Sequence, residues 1–196
     1  QPQARRERFR HERPWVPEVR AEPRFTDRQV ADASVLVPVV MRAGEPTVLL
    51  TERATHLSTH SGQIAFPGGR RDDTDRDVAE TALREAEEEI GLERRLVEVI
   101  GQLPTYTTGT RFIVTPVIGL VDPAHELRLN PHEVADAFEV PLAFLMDPAY
   151  HHRHLIDVFG NAREFFSMPY MQGTTERFIW GATAGMLRNL YRFLMA

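Results

Sequence analysis

The sequence predicts an α+β fold, an α/β/α sandwich in which a sheet is flanked by helices. Three observations carry that expectation. Two β-branched, apolar runs come early, at 35–41 and 47–52. A single strongly patterned helix follows, at 75–90. More strand-like runs then lead to a closing amphipathic helix. Strands, one central helix, strands and a last helix suit layers packed about one core. The length of 196 residues suits one domain with a sizeable core.

Residues 1–33 are polar and Arg-rich, with Pro14, Pro17 and Pro23, and read as an N-terminal extension to a domain spanning 34–196. The run Val35-Leu36-Val37-Pro38-Val39-Val40-Met41 is the first strand, and Pro38 inside it suggests an edge strand or a bulge. A turn at Ala43-Gly44-Glu45-Pro46 leads to a second strand, Thr47 to Glu52. A long loop follows, Arg53 to Asp73, containing Phe66-Pro67-Gly68-Gly69. The helix from Asp75 to Ile90 has Thr74 and Asp77 in capping-box spacing and Gly91 where a left-handed C-terminal cap belongs. Its apolar face is Val78, Ala82, Ala86, Leu83 and Ile90. Strands are expected at Leu96–Leu103 and Phe112–Val121, and a short helix from Pro141 to Met146 after Phe138-Glu139-Val140. A hairpin about Gly160-Asn161 joins His154–Phe159 to Arg163–Met168. The closing helix runs from Phe178 to Met195 with Trp180, Met186, Leu187, Leu190 and Phe193 turned inward.

Composition narrows the function classes. There is no cysteine, which excludes disulfides, thiolate-ligated zinc and thiol nucleophiles. All 23 basic residues are Arg, so a catalytic lysine is excluded too, and the bias reads as codon usage. The net charge of −5 offers little to a nucleic-acid backbone. No apolar run is long enough to span a bilayer, and no signal-peptide core is seen, so a cytoplasmic protein with neither membrane nor nucleic-acid partner is expected. Homodimerisation is left open.

The chemistry concentrates in Arg84-Glu85-Ala86-Glu87-Glu88-Glu89-Ile90-Gly91-Leu92. On a helix, Glu85, Glu88 and Glu89 stand at i, i+3 and i+4, so three carboxylates crowd one face. Such repulsion is relieved by a hard divalent cation, Mg²⁺ or Mn²⁺, which takes oxygen ligands and recruits phosphates. A solvated acidic helix face is the plainer reading of a Glu run. Upstream, Gly68-Gly69 allows close backbone approach to a metal or phosphate. His151, His152 and His154 suggest zinc less well than surface histidines of a hairpin. Thr105 to Thr110 reads as a loop over the site, and Phe165, Phe166, Tyr170 and Trp180 as packing rather than base stacking.

These residues resemble the Nudix box, GX5EX7REUXEEXGU with U aliphatic. Residues 84–92 fit its second half, with Ala86 a small stand-in at U. Counted from Gly69, the first acidic position falls on Asp75, and Arg84 comes one residue late. That spacing, with Thr81-Ala82-Leu83-Arg84-Glu85-Ala86, is similar to the coenzyme A pyrophosphatase branch. So is the earlier signature Leu49-Leu50-Thr51-Glu52-Arg53 followed by His60-Ser61-Gly62-Gln63-Ile64-Ala65-Phe66-Pro67-Gly68-Gly69, in which Ser58 replaces an expected Arg and Gln63 a common Glu. Val114-Thr115-Pro116-Val117, Glu133-Val134 and 181–185 extend the likeness over about residues 35–190.

The resemblance implies a mixed sheet flanked by helices and metal-dependent hydrolysis of a nucleoside diphosphate linked to a group X. For coenzyme A the products are 3′,5′-ADP and 4′-phosphopantetheine. It implies Glu85, Glu89, Glu88 and the Gly69 carbonyl as metal ligands, with Arg84 orienting a glutamate. Glu88 or Glu133 is the base, and Arg53, Arg70 and Gly68 meet the substrate. Two alternatives stay open: ADP-ribose, dinucleotide or nucleoside triphosphate as substrate, and a non-catalytic nucleotide-binding regulator.

Overall fold

A central strand, β1 (Ala31–Val40), organises the computed structural model, which describes residues 31–55, 62–108, 112–158 and 161–196. After it come β2 (Thr47–Arg53), β3 (Ile64–Ala65), β4 (Gly68–Arg70), α1 (Val78–Ile90), β5 (Val97–Gln102), β6 (Tyr106–Thr107), β7 (Phe112–Val121) and β8 (Val134–Pro141). The chain continues through α2 (Leu142–Leu145), β9 (His152–Val158), β10 (Asn161–Gln172), β11 (Thr175–Trp180) and α3 (Gly181–Met195). The main sheet runs β3-β2-β1-β7-β5, with β4 also on β1, β6 on β7 and β8 on β2. β1 and β7 are parallel and the other pairs antiparallel, so the sheet is mixed. A second sheet, β11-β10-β9, is antiparallel.

Alternation along the strands builds two cores. Leu36, Val40, Leu49, Val117 and Val121 face α1, where Ala82, Ala86 and Ile90 are fully buried. Val37, Val39, Val48, Leu50, Phe138 and Val140 face the other way, onto Phe166, Met168 and Ile179 of the second sheet and Ala184, Leu187 and Leu190 of α3. Small side chains on α1 let the helix come close to the sheet, which presses its carboxylates against β4. The expected layering of helix, sheet and helix therefore holds, with a second sheet sharing the α3 layer.

Several local expectations are corrected. Pro38 is neither in an edge strand nor at a bulge. β1 pairs with β4 at Ala33–Val35 and with β2 only at Val39 and Val40. The Leu36 N–H points to that flank, donating to the Pro67 carbonyl at 2.9 Å. By the two-residue alternation Pro38 nitrogen points the same way, into the gap between the two partners, where no ladder bond is lost. The strand also starts at Ala31, four residues early. α1 starts at Val78 rather than Asp75: Asp77 is the N-cap and accepts from the Glu80 N–H at 2.8 Å, while Thr74 is turned back onto Asp72. Gly91 does cap the C-terminus, at φ 68°, with its own N–H on the Glu87 carbonyl and that of Leu92 on Ala86. α3 starts at Gly181, because Phe178 to Trp180 complete β11 against Ser167–Pro169. Trp180 and Phe193 are exposed, not inward, whereas Met186, Leu187 and Leu190 are buried. Residues 1–30 and the Gly160 turn lie outside the described residues. Among the described residues no helix is long and apolar enough to cross a membrane.

Candidate active site

β4 is the platform of the site. A Cβ on Gly68 would lie 2.4 Å from the Ser34 carbonyl oxygen and 2.6 Å from Val35 Cα, so only glycine lets this strand seat on β1. Its other side meets α1. The Gly68 N–H donates to Glu89 Oε2 at 3.1 Å. A Cβ on Gly69 would stand 2.5 Å from the Glu85 carboxylate. The two glycines thus bring bare backbone against two of the three stacked glutamates.

Arg84 ties the cluster together. Its Nη1 donates to Glu85 Oε1 at 2.9 Å and to Glu88 Oε2 at 3.2 Å, and its Nη2 to the Arg70 carbonyl at 3.1 Å. The Arg84 fork is held from behind by Asp75, with Nε on Oδ1 at 2.9 Å and Nη2 on Oδ2 at 3.0 Å. Asp75 is buried and also accepts from the Thr81 hydroxyl and the Asp72 N–H. The Arg84 guanidinium, helped by these donors, holds the Asp75 carboxyl well below the usual carboxylate range.

The glutamates differ in environment. Glu88 is exposed, Glu85 mostly covered, and Glu89 buried. Burial pushes the Glu89 carboxyl up to about 7; the Gly68 N–H opposes this, the charges of Glu85 and Glu133 add to it, and that of Arg53 reduces it. Glu85 is likewise raised by burial, against Arg84. Glu133 bears on both groups because the segment before it is docked on the open end of α1: Arg128 and Asn130 N–H groups donate to the Ile90 and Glu89 carbonyls, each at 2.8 Å. The Asn130 amide then holds Glu133 Oε1 at 3.1 Å.

Of the sequence-predicted residues, the structure gathers Glu85, Glu88, Glu89, Arg84, Gly68, Gly69, Glu133 and Arg53. Arg53 Nε is buried and has no hydrogen-bond partner among the described residues. The Arg70 side chain is exposed beside Arg71, Asp72 and Asp73, and its carbonyl is what meets Arg84. Ser58 lies outside the described residues, as do 109–111 of the Thr105–Thr110 loop. His151 and His154 are bound into local packing, on the Leu145 carbonyl and the Ser167 hydroxyl. Asp75 is the residue missing from the expected site. Its signal was its place six residues after Gly69; the extra residue before Arg84 is absorbed in the non-helical 72–77 turn, so the pair still closes.

Among the described residues no three acidic or imidazole side chains converge closely enough, as they stand, to hold a metal ion. Glu85 and Glu88 lean to Arg84, and Glu89 to Gly68. The donor set still fits a hard dication: all oxygen, on adjacent turns, with bare glycine backbone beside it and a buried carboxylate raised by burial.

A NUDIX domain model matches residues 31–159. The chain belongs to the Nudix family. It is 42% identical over 176 residues to the uncharacterized Nudix hydrolase NudL of Shigella flexneri serotype 5b, covering 89% of this chain and 86% of that protein. NudL of Escherichia coli O1:K1 is 43% identical over 160 residues, covering 81% and 80%. The crystal structure of a MutT/nudix family protein from Enterococcus faecalis superposes with a TM-score of 0.51 at 14% identity, covering 99% of this chain and 69% of that one, a likeness of fold alone. This Nudix hydrolase therefore carries its Glu85–Glu89 cluster on the helix that the family box describes, as the sequence led one to expect.

Proposed function

We propose that this Nudix hydrolase cleaves the pyrophosphate bond of a nucleoside diphosphate linked to X, with coenzyme A or a derivative as X-bearing substrate. The products are then 3′,5′-ADP and 4′-phosphopantetheine or its derivative. The observation that carries the hydrolytic site is the seating of Gly68 and Gly69 on Glu89 and Glu85. The coenzyme A assignment rests on the Leu49–Arg53 and Phe66–Gly69 segments, which β2 and β4 bring to the same end of the sheet.

Glu85, Glu88 and Glu89 with the Gly69 carbonyl would hold Mg²⁺ or Mn²⁺. When bound, that cation offsets the diphosphate charge and acidifies water. Glu88, exposed, or Glu133, at the rim, takes the proton from the attacking water. The water oxygen bonds to one phosphorus as the bridging P–O bond breaks, and the leaving phosphate carries the charge away. Arg53 and Arg70 are the cations that would meet phosphate oxygens. Arg84, held by Asp75, keeps Glu85 and Glu88 from drifting apart.

The test is product analysis with coenzyme A, ADP-ribose and a nucleoside triphosphate, each with Mg²⁺, Mn²⁺ or chelator. Metal-dependent release of 3′,5′-ADP, fastest from coenzyme A, is expected. Faster cleavage of another substrate keeps the hydrolytic site and discards coenzyme A. No turnover by folded protein overturns the catalytic reading in favour of nucleotide binding. Glu85→Gln is expected to lower turnover by about two orders of magnitude or more with the fold intact.

A further inference from the structure

Arg177 of β11 lies outside the acidic cluster, yet it is the most heavily engaged side chain of the second sheet. Its Nη1 donates to Glu52 at 2.7 Å, its Nη2 donates to Asp136, and its Nε donates to the Gln172 amide oxygen at 3.0 Å. The guanidinium carbon stands 4.2 Å over the Phe138 ring. Glu52 and Asp136 are a directly opposed pair of β2 and β8. Two like charges so placed push their strands apart. The Arg177 fork spans them and converts that repulsion into a bridge between the two sheets.

The bridge sits next to a break in the ladder. The β2–β8 register shifts after Glu52–Asp136: Arg53 pairs with Val134, so the extra residue of the bulge is Ala135 of β8. Beyond it Arg53 is opposite Val134, and the Ala54 N–H donates to the Glu133 carbonyl at 2.9 Å. Bulges re-aim side chains where pairing ends. Glu52 continues the face of Leu50, toward the second sheet, whereas Arg53 follows Leu49 and Thr51 toward α1, where its charge reaches Glu89.

We propose that Arg177 is a positioning residue for the hydrolytic site: by clamping Glu52 to Asp136 it fixes the last regular pair before the β8 bulge, and so the place of Arg53 next to Glu52 and of Glu133 beyond the bulge. This deepens the proposed function and rests on Arg53 meeting phosphate there. Arg177 touches no reacting group.

The test compares wild type, Arg177→Met, and Arg177→Met combined with Glu52→Gln and Asp136→Asn, by KM, kcat and thermal midpoint on whichever pyrophosphate substrate the wild type cleaves. Methionine keeps an apolar stem over Phe138 and leaves the two carboxylates facing each other. KM is expected to rise about two- to fivefold in Arg177→Met, the scale of an uncompensated cross-strand charge pair. The triple variant is expected to return most of the way, because the repulsion is gone. A role in stability alone would lower the midpoint and the active fraction but leave KM unchanged, and that result overturns the proposal. So does a triple variant as impaired as Arg177→Met. If Arg177→Met does not fold, Arg177→Lys, which bridges only one carboxylate, is expected to show the same KM rise and the same rescue by Asp136→Asn. A wild type inactive on every pyrophosphate refutes the hydrolytic reading instead, before any variant is compared.

Discussion

Glu89→Gln is expected to make the metal-free protein more stable while removing its activity. The Glu89 carboxyl is buried and raised to about 7, whereas an unfolded glutamate titrates near ~4.3. A raised carboxylate pKa means that ionisation opposes folding. Below ~4.3 both states are protonated and there is no penalty; it grows as pH rises and is complete above about 7, where it amounts to about 3 kcal/mol. Glutamine keeps the shape and a neutral oxygen for the Gly68 N–H, as the protonated acid does, and the charge-assisted part of that bond is already contained in the shift. The net gain at pH 8 is then about 3 kcal/mol, or about 6–12 °C in midpoint for a chain of this size. Thermal or urea unfolding in chelator at pH 8 and pH 5 reads it, with little difference expected at the lower pH. Added Mg²⁺ is expected to stabilise wild type and not the variant. A variant no more stable than wild type at pH 8, or a gain equal at both pH values, refutes burial as the origin of the shift.

Two further variants probe the supports of the cluster. In Gly69→Ala the new methyl stands 2.5 Å from the Glu85 carboxylate, the free end of a side chain that can yield. Turnover is expected to fall about a hundredfold while stability changes by no more than about 1 kcal/mol, checked by steady-state kinetics beside calorimetry. Asp75→Asn leaves the buried side of Arg84 without its charged partner, and a loss of about 2 kcal/mol or more is expected at pH 7. Because Asp75 is depressed in the folded state, its contribution is complete above ~3.9 and is lost as pH falls through its lowered value, so the two proteins should converge in acid denaturation.

The strands and helices with one strong pattern were legible in the sequence. Phe112–Val121 was read to the residue, since it is one mostly apolar, largely buried run closed by Asp122. Gly91 announced the end of α1 because a left-handed cap has few other candidates. What the sequence hid was decided by partners distant in the chain. Pro38 looks like an edge-strand residue until β4 and β2 are known to share one flank of β1 between them. Trp180 fits a helical stripe with Met186 and Leu187, but its pairing with Ser167 draws it into β11. Asp75 was in view as the first acidic position of the box with Arg84 one residue late, and only the non-helical turn ahead of α1 shows how an extra residue leaves the Arg84 fork closed.

The same distinction separates the two halves of the site. Glu85, Glu88 and Glu89 are neighbours by helical period, so spacing alone brings them together. Glu133 and Arg53 reach the cluster by different means, one docked with its segment on the free carbonyls of α1 beyond the β8 bulge and the other carried on β2 next to the Glu52–Asp136 pair. Neither device has a local signature. The bulge depends on Glu52 and Asp136, far apart in the chain, and these are reconciled by Arg177, 41 residues beyond Asp136. A carboxylate pair that would repel in isolation is therefore tolerable only in the finished three-layer structure. The acidic helix face is thus encoded locally, whereas Arg53 and Glu133 near it are placed by contacts between segments distant in the chain.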